Sequence, residues 1–453
     1  MDVPRSPTAR AVTLGPLLFV AALTVLTHLP QALSRTAWKR DEVRVLEVSR
    51  QMREYGHTLV PHINGELYSE KPPFLNWMVR GAYEVVGDWF MAGHLVVVLI
   101  VAAGAAATAG IAAGIGIARG PLAMGLVGAF FITILFVAER TVQVVFDPVL
   151  TSFVLLGVFA WVGYAGRSGG RVVPWILATL AVSAAALTKG PVAMLQAAFG
   201  IVAVHLAIAR FTWRDGAALL GLLGIAAAAP LAWVFFAALD VGWWFWDHMT
   251  VEQTASRLSG KEAPHARPIY DYLGTLPVAL LPAMLLVPGA IGLAHEGVGD
   301  ARTRRALRSL AIWFVPIFVI FSFISGKRIG YLLPLAAPAA MFVVYGVFAA
   351  QASPDRLGRR LLILALAILA GIAIAAGILL PVVAALPGDW IAPHAAKAFR
   401  ADTEVWSAAL RWGLAVLGIV LLPIGLLGFK AAHSGQPLRA ATLVAMILCT
   451  SWS

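Results

Sequence analysis

The sequence predicts an all-α polytopic membrane protein with about 11–13 transmembrane helices, on three observations. Of its 453 residues 60% are hydrophobic and only 13% charged, with a mean hydropathy of +0.84, against about 25% charged residues in a soluble domain. Apolar runs near the roughly 20 residues that a bilayer-crossing helix needs recur along the whole length. The arginines also gather in alternate gaps between those runs, as the positive-inside rule requires. The net charge of +11 therefore reads as an orientation signal, and no nucleic-acid partner is expected. A single cysteine, Cys449, excludes a disulfide framework and a Cys-rich metal site. Neither GxGxxG nor GxxxxGK[ST] occurs in a nucleotide-binding context.

Spans are expected at about 11–33, 91–118, 120–138, 147–165, 172–187, 191–209, 215–239, 272–294, 309–325, 330–350, 361–380 and 408–428, with a short last one from about 438. The first follows Arg5 and Arg10; it is too long for the apolar core of a signal peptide and is expected to stay as an anchor. With the N-terminus inside, the inner gaps hold Arg119, Arg171, Arg214, Arg304 and Arg359 among others. The outer gaps mix signs: Asp41, Glu42, Glu70 and Lys71, then Glu139, Arg140 and Asp147, then Lys189, His248, His265, Arg267, Lys327 and Arg328. Charge at a span's centre costs about 2.5–3.5 kcal/mol per residue, so such a gathering marks the candidate functional face. The expected organisation is one membrane domain over 1–453, with outer loops at about 34–90, 240–271 and 381–407 and no sizeable soluble C-terminal domain.

In the first loop, Asp41 is placed to cap a helix running to about Tyr55, with Gly56 as its stop. Val45, Val48, Met52 and Tyr55 form an apolar stripe, which suits an interfacial helix. The stretch NGELYSEKPPF follows. Pro72 holds Lys71 out of any helix, and a second helix starts at Pro72–Pro73, carrying Trp77, Met78, Val79 and Tyr83. Glu70 and Lys71 then form either a phosphate-binding corner at a helix N-terminus or an ordinary Glu–Lys pair on a turn. In the second loop, Trp243, Trp244, Phe245 and Trp246 suit an interfacial belt. His248 and His265 are candidate metal ligands or plain loop residues, since no HExxH-type spacing is present, and Arg267 offers a fork of donors to phosphate. Lys189 in LTKGP and the Lys327–Arg328 pair in SGKRIGYLLP are either snorkelling anchors or site residues. Asp147 in VVFDPVL is a candidate catalytic carboxylate or a helix cap.

The run RDEVRVLEVSRQMREYGHTLVPHINGELYSEKPPFLNWMV, followed in order by LTKGP, PHARPIYDYL and SGKRIGYLLPL, resembles the C-type membrane glycosyltransferases (GT-C fold). The likeness is to the branch holding the aminoarabinose transferase of lipid A and the protein O-mannosyltransferases, and it extends over about Trp38 to Pro338. It implies transfer of a sugar from a polyprenyl-phosphate donor to a lipid, protein or glycan acceptor, at the periplasmic face of a bacterial inner membrane, with inversion. By the same resemblance Asp41 is the general base, Lys71 and Arg267 hold the lipid phosphate with Lys327 and Arg328 assisting, and Glu70 and His265 ligate a divalent metal ion (Mg, Mn or Zn). From their place at outer span ends, Asp147 is added as a second candidate catalytic carboxylate and Lys189 as a candidate phosphate ligand. The expected organisation departs from the pattern of the larger members, which carry a soluble C-terminal domain, and the sequence departs from it in Ile269 and Asp271 where bulkier rings are common. A ligase or polymerase of lipid-linked oligosaccharides would share the donor chemistry. A secondary transporter would place its charges near the midplane on inverted repeats, whereas these lie at span ends.

Overall fold

A computed structural model describes residues 14–37, 39–166, 170–252, 267–324, 326–386 and 408–452. His265 and most of the expected 381–407 loop lie outside the described residues. Among these, ten helices are long and apolar enough to cross a membrane, or up to 12 if each of two bent pairs counts as one span. The chain forms two compact units: Met1–Met284 with Gly299–Val344, and Leu285–Val298 with Tyr345–Ser453.

The first unit opens with α1 (Leu14–Leu33), long and apolar enough to cross a membrane, and α2 (Arg40–Glu54). The helix α2 forms where its apolar stripe predicts, but the stripe packs on the protein: Val45 lies against Leu75 and Val79, and Val48 and Met52 against Tyr68. The start of α2 differs from expectation. Lys39 occupies the N-cap position and Asp41 lies in the first turn, where no side chain caps the helix, so the Asp41 carboxylate is free of the capping role. Asn64 and Gly65 both adopt positive φ, 54° and 82°, the geometry of a tight hairpin turn that Asn-Gly favours. They join β1 (His62–Ile63) to β2 (Glu66–Leu67), with His62 opposite Leu67. Next comes α3 (Phe74–Val86). Buried Asn76 ties it to α2 by donating to the Val45 carbonyl at 3.0 Å and to Ser49 Oγ at 3.1 Å.

The long α4 (Trp89–Ile115) and α7 (Phe146–Gly166) pack closely. A Cβ on Gly104 would lie 2.6 Å from Ser152 Oγ, the small-residue contact that draws membrane helices together. Between them the expected 120–138 span breaks in two. The helices α5 (Pro121–Thr133) and α6 (Leu135–Thr141) meet at 72°, because Ile134 is extended at ψ 123°. The freed Leu135 amide donates to the Leu281 carbonyl at 2.6 Å. Backbone so opened must find such a partner away from water. The unit continues through α8 (Val172–Lys189), α9 (Pro191–Ile208), α10 (Trp213–Val241) and the short α11 (Trp244–Asp247), which runs into a π-helical turn, His248–Glu252. The expected 272–294 span is likewise two helices, α12 (Asp271–Ala279) and α13 (Ala283–His295). The helix α14 (Ala301–Phe323) and a 3₁₀ turn (Ile329–Leu335) leading into α15 (Ala336–Ala352) follow.

The second unit takes in most of α13, the end of α15, and α16 (Leu357–Ala385), α17 (Ala408–His433) and α18 (Pro437–Trp452). A Cβ on Gly377 would meet the Leu422 backbone nitrogen at 2.7 Å, so α16 and α17 touch backbone to backbone.

Candidate active site

A buried ion cluster positions the site, and no motif marks it. Glu42 is fully buried. Arg35 grips it with both ends of its guanidinium, at 2.7 Å to each oxygen, and donates to the Val142 carbonyl at 2.6 Å. The Val144 amide donates to Glu42 Oε1 at 3.1 Å, and His94 Nε2 stands 3.2 Å from the same oxygen. Burial by itself would raise the Glu42 pKa; the hydrogen bonds from His94, Arg35 and the Val144 amide overcome it and hold the carboxyl at about 2. Neighbouring residues point about 100° apart around a helix of 3.6 residues per turn. With Glu42 locked inward, Asp41 is exposed and faces a cleft of about 1150 Å³.

The cleft gathers residues from distant parts of the chain. Asp41, Arg44 and Glu70 come from the first loop, Arg140 from α6, Asp147 from α7, Arg267 and Asp271 from around the start of α12, and Lys327 to Gly330 from before and within the 3₁₀ turn. Both broken helices reach it, through Leu135 and Phe136 and through Val278 and Ala279. Irregular backbone at membrane depth is tolerated where it lines such a cavity.

Asp147 is clamped on two sides. Lys189 donates to Oδ1, so this lysine is an ion-pair partner and does not snorkel. Its ammonium also sits 4.6 Å over the Tyr331 ring. On the other side Gly330 lies flush against the carboxylate, and a Cβ there would stand 2.4 Å from Asp147 Oδ2. Gly330→Ala is therefore expected to push the carboxylate off Lys189 while the fold survives, because the clash is with a side-chain end. A misplacement near 1 Å costs on the order of 10²-fold in rate. A sugar-transfer assay beside a thermal melt checks this; wild-type turnover in the variant would show that the clamp is dispensable.

Lys71 is not among the residues lining the cleft; its ammonium sits 4.5 Å over the ring of Phe146, the neighbour of Asp147. Burial first, then the Lys189 charge and a smaller push from Arg328, lower its pKa to about 8, against the opposing pull of Asp41 and Asp147. Lys71 thus lies within electrostatic reach of Lys189 and Arg328. Arg267 pairs with Asp271 at 3.3 Å. Lys327 is buried and donates to the Ser322 and Ile324 carbonyls, each at 2.7 Å, closing the end of α14. Seven cations and five carboxylates line the cleft among the described residues. That excess suits an anionic ligand.

The fit to a metal ion is poor in the part of the site that is described. Arg44 donates to Glu70 Oε2 at 2.6 Å, and His248 faces Glu252 at 2.8 Å. Among the described residues no group of three or more His, Cys, Asp or Glu side chains is arranged to hold a metal. His265, the other expected ligand, lies outside them.

Arg44, Arg140 and Asp271 are cleft residues to which sequence reasoning assigned no role. Of the three only Arg140 stood among the mixed-charge outer gaps, and Asp271 was noted only as a departure from the family pattern.

No protein-family model matches the chain. It is 29% identical over 350 residues to an undecaprenyl phosphate-α-4-amino-4-deoxy-L-arabinose arabinosyl transferase of Proteus mirabilis, covering 76% of this chain and 61% of that protein. A transferase of the same name from Sodalis glossinidius is 28% identical over 334 residues, 72% of this chain and 58% of that protein. Among solved structures, ArnT from Cupriavidus metallidurans bound to undecaprenyl phosphate superposes with a TM-score of 0.70 at 20% identity, over 98% of this chain and 77% of that one. The chain is similar to these arabinosyl transferases over about three quarters of its length and shares the fold of the solved ArnT, a C-type glycosyltransferase fold. It spans about three-fifths of the length of the curated relatives it matches. The expected multi-pass helical architecture is found, and the resemblance read from the first loop agrees with the sequence similarity to these transferases.

Proposed function

We propose that this chain is a glycosyltransferase that takes a sugar from a polyprenyl-phosphate-linked donor and passes it to an acceptor at the periplasmic face of a bacterial inner membrane. The observation that carries the reading is the surplus of cations around Asp41 and Asp147 in one cleft. In the transfer, the acceptor hydroxyl oxygen attacks the anomeric carbon as the bond from that carbon to the phosphate oxygen breaks. The proton passes to the Asp41 carboxylate, the polyprenyl phosphate leaves with one more negative charge, and a single displacement inverts the carbon. Lys71, Lys189, Arg267 and Arg328 stand where that charge develops, which favours the transition state over the ground state. Lys327 supports the loop that carries Arg328. Asp147 holds Lys189 in place and is the second catalytic carboxylate of the proposal. Glu70 and His265 remain proposed ligands of a divalent ion, which would have to displace Arg44 from Glu70; no step above runs through it.

The test is incubation of the purified protein with polyprenyl-phosphate-linked sugars, the 4-amino-4-deoxy-L-arabinose donor first, and lipid, protein and glycan acceptors. Free polyprenyl phosphate is expected to rise in step with labelled acceptor. Consumption of lipid-linked oligosaccharides alone would favour a ligase, and no donor breakdown with any acceptor would refute the reading. A chelator that leaves both turnover and donor affinity unchanged removes the metal from it.

A further inference from the structure

Arg140 closes the last turn of α6, the short half of the broken span, and lines the cleft together with Asp147. Its guanidinium carbon lies 5.2 Å over the Phe136 ring, which fixes the plane of the group. Most of the cleft's other cations are engaged. Lys39 donates to Glu139, Arg44 to Glu70, Arg267 to Asp271, and Lys327 to two backbone carbonyls. The adjacent Glu139, which could have neutralised Arg140, is taken by Lys39. Arg140 makes no ion pair with a carboxylate among the described residues. Of the cleft's cations it is the one with a buried nitrogen, Nε, that has no hydrogen-bond partner.

Buried polar atoms in native proteins are almost always paired, so an orphaned donor at a cavity wall points to a group that arrives from outside. A guanidinium presents a planar fork that matches the oxygens of a phosphate, which a lysine cannot reproduce. We propose that Arg140 is a donor-binding residue whose Nε–H donates to an anionic oxygen of the polyprenyl phosphate. It was placed there by the break at Ile134, which turns α6 by 72° from α5. The inference rests on the polyprenyl-phosphate reading above and adds a ligand to it.

The experiment is equilibrium binding to the full chain in lipid nanodiscs, with polyprenyl phosphate and with the neutral polyprenol of the same length as probes. Wild type, Arg140→Lys and Arg140→Gln are compared. Wild type is expected to prefer the phosphate. Arg140→Gln should lose on the order of 30-fold in phosphate affinity or more with polyprenol binding unchanged, and Arg140→Lys, which keeps the charge without the fork, should lose part of it. Phosphate affinity equal to wild type in either variant would overturn the proposal and assign the Nε–H to a bound water. If the glutamine variant does not fold, the lysine variant decides alone. A wild type that binds polyprenol as well as polyprenyl phosphate would instead sink the functional reading, so the two failures are told apart.

Discussion

Asp41→Asn is expected to slow sugar transfer by about 10²–10⁴-fold, the range a positioned general base supplies, with donor binding and thermal stability close to wild type. The side chain is exposed to the cleft and makes no ion pair among the described residues, so asparagine orphans no buried partner. The matching control is Asp147→Asn, which removes the carboxylate that pairs with Lys189. Breaking one side of such a pair leaves a largely buried cation, at a cost of about 3–5 kcal/mol. The two substitutions should therefore separate: the first lowers kcat alone, the second lowers stability and rate together. Undiminished turnover in Asp41→Asn would transfer the role of base to another group, and a stable but inactive Asp147→Asn would point to Asp147.

Glu42→Ala should be strongly destabilising, by about 3–5 kcal/mol. It leaves the Arg35 guanidinium without its carboxylate and the Val144 amide without its acceptor. Activity should fall with it, because the same contacts set the rotation of α2 that presents Asp41. The acid response has a definite sign. A carboxyl held below its ordinary value contributes stability that is complete above about pH 4.5 and is lost as the pH falls toward about 2. At about 1.4 kcal/mol per pH unit, that interval is worth roughly 3 kcal/mol. Thermal melts in detergent at pH 7 and pH 3 are expected to show the wild type losing stability on acidification and Glu42→Ala losing markedly less. Parallel pH curves for the two proteins would show that Glu42 is not the titrating lock.

Much of the architecture was legible because a hydrocarbon slab leaves the chain few choices. An apolar run of sufficient length must satisfy its backbone internally and so becomes a helix, which is why α1, α4, α7, α8 and α9 begin and end within a few residues of where hydropathy puts them. The breaks in the 120–138 and 272–294 spans were not legible. Hydropathy does not change at Ile134, and the break is stabilised by a hydrogen bond from Leu135 to Leu281, far along the chain. The helix α2 was readable from its stripe, but its first residue was not, since Asp41 is as good a capping type as the position allows and the chain uses it elsewhere. Of the residues proposed for the lipid phosphate, Lys189 and Arg328 do come within electrostatic reach of Lys71, and Lys327 turned out to spend its ammonium on backbone carbonyls.

By itself, then, the sequence determined where the membrane spans lie, that acids and bases collect at the same ends of them, and that the first loop carries the pattern of a lipid-phosphate sugar transferase. Those are properties of single residues and short runs, which add up along the chain. Only the tertiary structure decided between neighbours: Glu42 locked and Asp41 free, Lys39 paired and Arg140 left with an open donor, Gly330 required because a carboxylate rests on it. Each of those outcomes depends on which distant group reaches a side chain first, and burial makes that choice too costly to reverse.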